Sequence, residues 1–381
     1  MAGQRKRINP TLVILAREAR GLTQPELSRK LLVSQGWLSK VEGGVLQIQE
    51  SALERFSTIL DYPVDFFMQE DPIYGLGISE IFHRRRQSIS SKMLRKIYAQ
   101  IEIRTLHLAK LLRGVDTNEV RIPHVELSDV DGSVKEAARL VRASWHIPTG
   151  PVQDLTQVIE NAGGIIIPFD FGTGKIDAIS HWPPGMPPLF FVNVYSPTDR
   201  LRFTLCHELG HVVMHKNALD PSMESEADMF AAEFLMPEKD IRPFFMSVTL
   251  DGLAVLKPYW KVSMAALLKR ASDLGEITPR QARTLWMKIG KLGYKVREPV
   301  ELDIPQEEPR FLSEVVGVYV NDMEYSIHDL GKLLHLHDKE FRQLYLNSRQ
   351  LVVHNERKAA VEEFERIIKK KDRPRTNPES Q

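Results

Sequence analysis

At residues 207–211 the chain reads His-Glu-Leu-Gly-His, inside the run RLRFTLCHELGHVVMH. The run is long and apolar enough to be one packed helix, and its start is marked. Ser196 can serve as the cap, Pro197 suits the first helical position, and Asp199 favours the positive end of the helix dipole. Histidines four residues apart project from one helix face about one turn apart, so both can reach a single zinc ion at about 2 Å. Glu208 follows the first histidine and flanks that position without easily becoming a ligand. Zinc moves the pKa of a water it holds towards about 7, and a flanking carboxylate can then act as general base and pass the proton to a leaving amine.

A catalytic zinc takes three protein ligands and keeps one position open. The third ligand is sought on the next helix, SMESEADMFAAEFLMP, which starts near Ser222. Ala227, Phe230, Ala231, Phe234 and Leu235 form its apolar stripe, and Glu226 adjoins that stripe. Glu226 is therefore favoured as third ligand, with Glu224 as the alternative. Asp228 is placed behind a ligand histidine, orienting its ring. His215 lies on the same face as His207 and His211, but three successive turns of a straight helix do not easily hold one ion, so it is assigned a supporting role. Cys206 reads as a small core residue. Tyr195 and His181 are the candidates for stabilising an oxyanion.

Nearer the N-terminus, residues 10–68 read as short helices. Thr23-Gln24-Pro25-Glu26 has the form of a capping box, Ser34 can cap the helix after it, and Gly43-Gly44 ends that helix. Two short helices joined by a tight turn make a helix-turn-helix, here with Leu27, Leu31, Val33, Leu38 and Val41 as the shared core. Gln35, Trp37, Ser39 and Lys40 are left on the outside of the second helix, and glutamine can bond an adenine edge in the major groove.

Charge agrees with that placement. The chain of 381 residues has a net charge of only +1, but residues 1–45 hold eight Lys/Arg against three Asp/Glu, and residues 80–113 hold nine against two. Basic stretches of this kind suit phosphate contact, and the helix expected over residues 90–112 could widen a DNA footprint or be a solvated face. The single cysteine rules out an internal disulfide and fits a cytoplasmic setting. No stretch approaches the ~18 apolar residues of a membrane span, so no membrane partner is expected.

Two resemblances follow from these motifs. The run LTQPELSRKLLVSQGWLSKVEGG resembles the XRE/lambda-repressor-like family, over about residues 8–68. By that resemblance Gln24 would touch a phosphate and Gln35 would enter the groove. RFTLCHELGHVVMH followed by ESEADMFAAEFLMP resembles the ImmA/IrrE family of metallopeptidases, over about residues 130–290 and including VSMAALLKRASDLG. That family often has Asn where this chain has Asp228. The resemblance implies a zinc endopeptidase that cleaves a helix-turn-helix repressor protein. The other functional expectation is a DNA-binding regulator whose zinc is structural or ligand-sensing.

The fold class expected is α+β and mostly helical, with an all-α head, a zincin-like core around a small sheet, and a helical C-terminal part. The expected boundaries are residues 1–70 for the head, 71–125 for a basic linker and helix, and 126–240 for the peptidase core. Residues 241–297 form its helical continuation, broken at Pro258 and Gly275. Residues 298–381 comprise an acidic linker, a small domain of unknown role and a basic tail. Strands are expected at 165–169, 176–180 and 189–194. His328, His335 and His337 read as surface histidines.

Overall fold

The computed structural model describes residues 8–48, 50–75, 89–117, 119–215 and 221–346. The basic run at 84–86 and the tail after residue 346 lie outside the described residues. The chain divides into two compact units, the first ending at Leu312 and the second beginning at Ser313. The architecture is α+β and mostly helical.

The first unit opens with α1 (Pro10–Ala19), α2 (Gln24–Leu31), α3 (Gln35–Glu42) and α4 (Glu50–Leu60), followed by a 3-10 turn at Val64–Met68. The Thr23–Glu26 capping box forms: the Thr23 side chain accepts from Glu26 N, and Glu26 accepts from Thr23 N at 2.7 Å. Between α2 and α3, Leu32 takes the left-handed conformation (φ +56°) and Ser34 caps α3. Leu12, Ala16, Leu27, Leu31, Leu38, Phe56 and Phe67 are fully buried around this turn.

Next comes α5 (Ser91–Leu112), which departs from the expectation of an outward basic helix. From Ile97 to Leu111 almost every residue is buried, because the helix is sandwiched. One side packs on α1, where Gln100 Nε2 donates to Ala19 O at 3.2 Å, and Lys92 Nζ pairs with Glu26 of α2 at 2.9 Å. Ile97, Ile101, Leu108 and Ala109 pack on the sheet. Lys110 is absorbed as well, donating to Gln69 and pairing with Asp71 at 3.3 Å, while Lys92 and Arg95 in the first turns stay exposed.

The first unit continues with α6 (Val134–Ser144), α7 (Leu155–Asn161), and strands β1 (Ile165–Phe169), β2 (Ala178–His181) and β3 (Leu189–Asn193). Strand order is β1-β3-β2, with β1 parallel and β2 antiparallel to β3. Alternation divides the apolar strand residues between two faces. Ile165, Ile167, Phe169, Ile179, Leu189 and Phe191 meet α5, while Ile166, Ala178, Phe190 and Val192 belong to the larger core with the helices that follow.

Those helices are α8 (Thr198–Met214), α9 (Met223–Leu235), α10 (Glu238–Ile241), α11 (Leu250–Trp260), α12 (Met264–Asp273) and α13 (Pro279–Lys291). The start of α8 differs from expectation by one residue. Pro197 is the N-cap, and Ser196 Oγ instead donates to Asp177 at 2.6 Å. Pro258 does not break α11. It lies in the last turn, and the helix ends at Lys261 in the left-handed region.

The stretch 298–309 is a docked strap, although its acidic, proline-rich composition reads as a linker. Glu298 is buried against Lys257 at 2.7 Å, and Glu307 accepts from the backbone N–H groups of Leu155 and Thr156 at 3.0 Å each and pairs with Arg202. These two carboxylates neutralise buried cations and the start of α7, while Glu301, Asp303 and Glu308 are exposed. Helix α14 (Phe311–Asn321) leads into the second unit, which contains α15 (Ile327–Leu334) and α16 (Asp338–Tyr345). Among the described residues no helix is long and apolar enough to cross a membrane.

Candidate metal centre and DNA-reading helix

Helices α8 and α9 cross closely because Gly210 lets them. A Cβ on Gly210 would stand 3.2 Å from Phe230 Cβ and 3.3 Å from Ala227 Cα. That approach carries the first turns of α9 over the His207–His211 face. The two Nε2 atoms of His207 and His211 face each other at 3.0 Å. Glu224 reaches them from α9, with Oε1 3.3 Å from His211 Nε2 and Oε2 4.0 Å from His207 Nε2. The three ligand atoms lie within 4.8 Å of one another.

Glu226 is elsewhere, which corrects the preference for it. On a helix of ~3.6 residues per turn, Glu224 and Glu226 fall on opposite flanks of the Ala227–Phe230–Phe234 stripe. Adjoining the buried stripe therefore does not decide which acid meets the histidines. Glu226 Oε2 lies 2.9 Å from His215 Nε2, and Glu226 Oε1 accepts from Ser222 Oγ at 2.7 Å. Asp228 falls on the Glu224 flank, and its Oδ1 is 2.8 Å from His207 Nδ1.

These partners select the tautomers of the neutral rings. Asp228 can only accept when ionised, so His207 carries its proton on Nδ1 and presents a bare Nε2. Glu226 accepts from His215 Nε2–H, which leaves His215 Nδ1 as an acceptor. His211 Nδ1, 2.9 Å away, must then be the donor, so His211 also presents a bare Nε2. Two ring lone pairs and a carboxylate thus converge on one point, an arrangement of acceptors that a divalent cation satisfies. The residues present fit zinc: two imidazoles and one carboxylate, with ring partners behind them. The pKa of His207 is raised. Burial opposes the charge, but the Asp228 hydrogen bond and the nearby Glu208, Asp228 and Glu224 carboxylates outweigh it.

Glu208 points to the sheet side of α8. Its Oε2 accepts from Ser180 N at 2.9 Å and from Ser180 Oγ at 2.6 Å. Ser180 is a site neighbour that no sequence motif marks, because only strand packing brings β2 against α8. Of the two oxyanion candidates, Tyr195 is 74% exposed with its Oη 3.4 Å from Asp170, and His181 is buried at the end of β2 beside Ser180. Cys206 is fully buried, and that burial pushes its thiol pKa up. A cleft of about 780 Å³ is lined by Asp228 together with Phe203, Thr204, Met229, Tyr294 and Arg297; His207, His211, Glu208 and Glu224 are not among its lining residues.

In the head, α3 exposes Gln35, Ser39 and Lys40. Trp37 is half-buried, its ring 6.3 Å from that of Phe56, which withdraws it from the outer face. The Gln24 side chain is drawn inward. Its Nε2 donates to Glu42 Oε2 at 2.6 Å, while Arg17 Nε donates to Glu42 Oε1 at 2.6 Å.

Comparison with known families agrees with both regions. Residues 160–272 match the IrrE N-terminal-like domain, a peptidase family, and residues 15–65 match a helix-turn-helix domain. No curated protein matches the chain. The chain therefore carries an IrrE/ImmA-like peptidase domain behind an N-terminal helix-turn-helix domain.

Proposed function

We propose that the chain is a zinc-dependent endopeptidase of the cytoplasm that cuts a helix-turn-helix repressor protein, with its own head bound to DNA. The observation that carries this reading is the meeting of His207 Nε2, His211 Nε2 and Glu224, with Asp228 and the His215–Glu226 pair behind the rings. His207, His211 and Glu224 would hold the ion. Zinc bound there supplies a Lewis acid that polarises a peptide carbonyl and acidifies water. Ser180 fixes the Glu208 carboxylate through two bonds to one oxygen. Glu208 takes up the proton and hands it on to the leaving amine. The cleft beside Asp228 would seat side chains of the substrate. In the head, Gln35, Ser39 and Lys40 contact the duplex, and Gln24 joins a phosphate only by leaving Glu42.

One observation favours the second reading, a DNA-binding regulator whose zinc is structural or ligand-sensing. The Glu208 carboxylate accepts two hydrogen bonds from Ser180 and so ties α8 to β2, a structural use that needs no proton transfer. Glu208→Gln separates the two readings. Under the first, the variant keeps one zinc per chain and loses cleavage of repressors co-expressed from neighbouring genes. Under the second, wild-type protein cuts none of them, and the variant regulates its promoter normally.

A further inference from the structure

The chain contains the helix-turn-helix arrangement a second time, in its C-terminal unit. Residues 12–42 map onto residues 315–345 without insertion or deletion. Buried Leu12, Val13 and Ala16 of α1 correspond to buried Val315, Val316 and Tyr319 of α14. Gly21 (φ +67°) corresponds to Glu324 (φ +59°), and Leu32 (φ +56°) to His335 (φ +54°). The Thr23–Glu26 capping box recurs as Ser326–Asp329. Leu27, Leu31 and Leu38 recur as Leu330, Leu334 and Phe341, all buried.

The turn itself has the same bonds. Val33 N donates to Ser28 O at 3.0 Å, and Leu336 N donates to Gly331 O at 2.8 Å; Leu32 N–Arg29 O and His335 N–Lys332 O are both 3.2 Å. A Cβ on Gly331 would stand 3.0 Å from Leu336 O, so the small residue at this position is a packing requirement of the turn. In both copies the two helices are eight residues long.

The outer face corresponds as well. The exposed Gln35, Gly36, Ser39 and Lys40 of α3 have as counterparts Asp338, Lys339, Arg342 and Gln343 of α16, all exposed. The turn alone would not suffice. Lys261, Val262 and Ser263 make a similar one between α11 and α12, with Lys261 at φ +54° and Ser263 as cap. There the counterparts of the exposed Gln35 and Ser39 are Met264 and Leu268, both buried.

We propose that residues 315–345 are a second reader of duplex DNA, with Lys339, Arg342 and Gln343 of α16 as its contacts. Arginine pairs with a guanine edge through two bonds and glutamine with an adenine edge, while lysine meets phosphate. Asp338 and the half-buried Glu340 are the acids of its first turn, and Asp338 Oδ1 lies 3.1 Å from His328 Nδ1. This assignment rests neither on the metal centre nor on proteolysis.

The test selects bound duplexes from a random-sequence pool with the full-length chain, at one fixed salt concentration. Three proteins are compared: wild type, Gln35→Ala/Lys40→Ala, and Arg342→Ala/Gln343→Ala. All four positions are exposed, and thermal melting checks that the folds are unchanged. Wild type should enrich two unlike sequence elements. Arg342→Ala/Gln343→Ala should lose one of them, with affinity for it falling about 10- to 100-fold, while Gln35→Ala/Lys40→Ala retains it. An enriched set that Arg342→Ala/Gln343→Ala leaves unchanged would overturn the assignment. If that variant altered only the sedimenting mass, the face would be a protein contact, and the DNA assignment would fail too.

Discussion

The His207 ring is held by Asp228, whose Oδ1 lies 2.8 Å from Nδ1 and so leaves Nε2 turned towards His211 and Glu224. A partner behind a ligand histidine typically contributes about 10- to 100-fold to metal affinity. Asp228→Ala is expected to weaken zinc binding by that factor in a competition titration with a chromogenic chelator. Asp228→Asn should weaken it less, since an amide oxygen still accepts from Nδ1–H. Equal affinity in Asp228→Ala and wild type would remove Asp228 from the site.

The two candidate acids can be told apart directly. Glu224→Gln is expected to lower zinc content well below one ion per chain, measured by elemental analysis after dialysis. Glu226→Gln should retain the ion, because Glu226 acts on it only through His215. The reverse pattern would restore Glu226 as ligand.

Whether a feature is legible in the sequence depends on whether it is local. The His207–His211 spacing and the Thr23–Glu26 box are settled within one or two helical turns, and the sequence states both. Choosing Glu224 over Glu226 requires knowing which flank of α9 meets α8, and that follows from the crossing permitted at Gly210. Ser180 depends on strand packing against α8, for which no motif exists. The basic residues of α5 suggest a solvated face, whereas in the fold Lys110 is buried on Gln69 and Asp71 and only the ends of the helix keep exposed basic residues. The second helix-turn-helix is hidden in the sequence because the copies share few identical residues. What they share is capping chemistry, left-handed positions and an apolar pattern.

Ser180 presents a graded case. Ser180→Ala removes the Oγ bond to Glu208 and leaves the backbone N–H in place. Zinc content should stay at the wild-type level. Cleavage of a repressor substrate should fall by about 10-fold, the worth of one charge-assisted hydrogen bond at ~1.5 kcal/mol. The fall should appear in kcat, because the bond orients the base and does not bind substrate. A change confined to KM would contradict that role.

Glu238 gives the chain a defined acid sensitivity. Hydrogen bonds from Lys135 and then Arg242 hold its pKa at about 2, below the ordinary 4.5. A depressed carboxylate pKa contributes stability that is fully present above the unfolded value and is lost as pH falls through the folded one. The contribution should therefore disappear between about pH 4.5 and pH 2. Carboxyl carbon NMR on the folded chain checks the value, and Lys135→Ala should move it upward. An ordinary titration in wild type would show that the Lys135–Glu238 contact does not persist in solution.

Lys257 is the severest test of the strap. Its ammonium is buried between Asp199 and Glu298, at 2.5 Å and 2.7 Å, and so joins α8, α11 and the stretch 298–309. Lys257→Met leaves two carboxylates buried without their cation, and removing one partner of a buried ion pair typically costs about 3–5 kcal/mol. The urea midpoint should fall accordingly. Adding Asp199→Asn and Glu298→Gln should recover much of the loss, because the uncompensated charge, rather than the missing contact, dominates the cost. If the single variant melted like wild type, Lys257 would not be buried in solution. The strap would then be the free linker that its composition suggests.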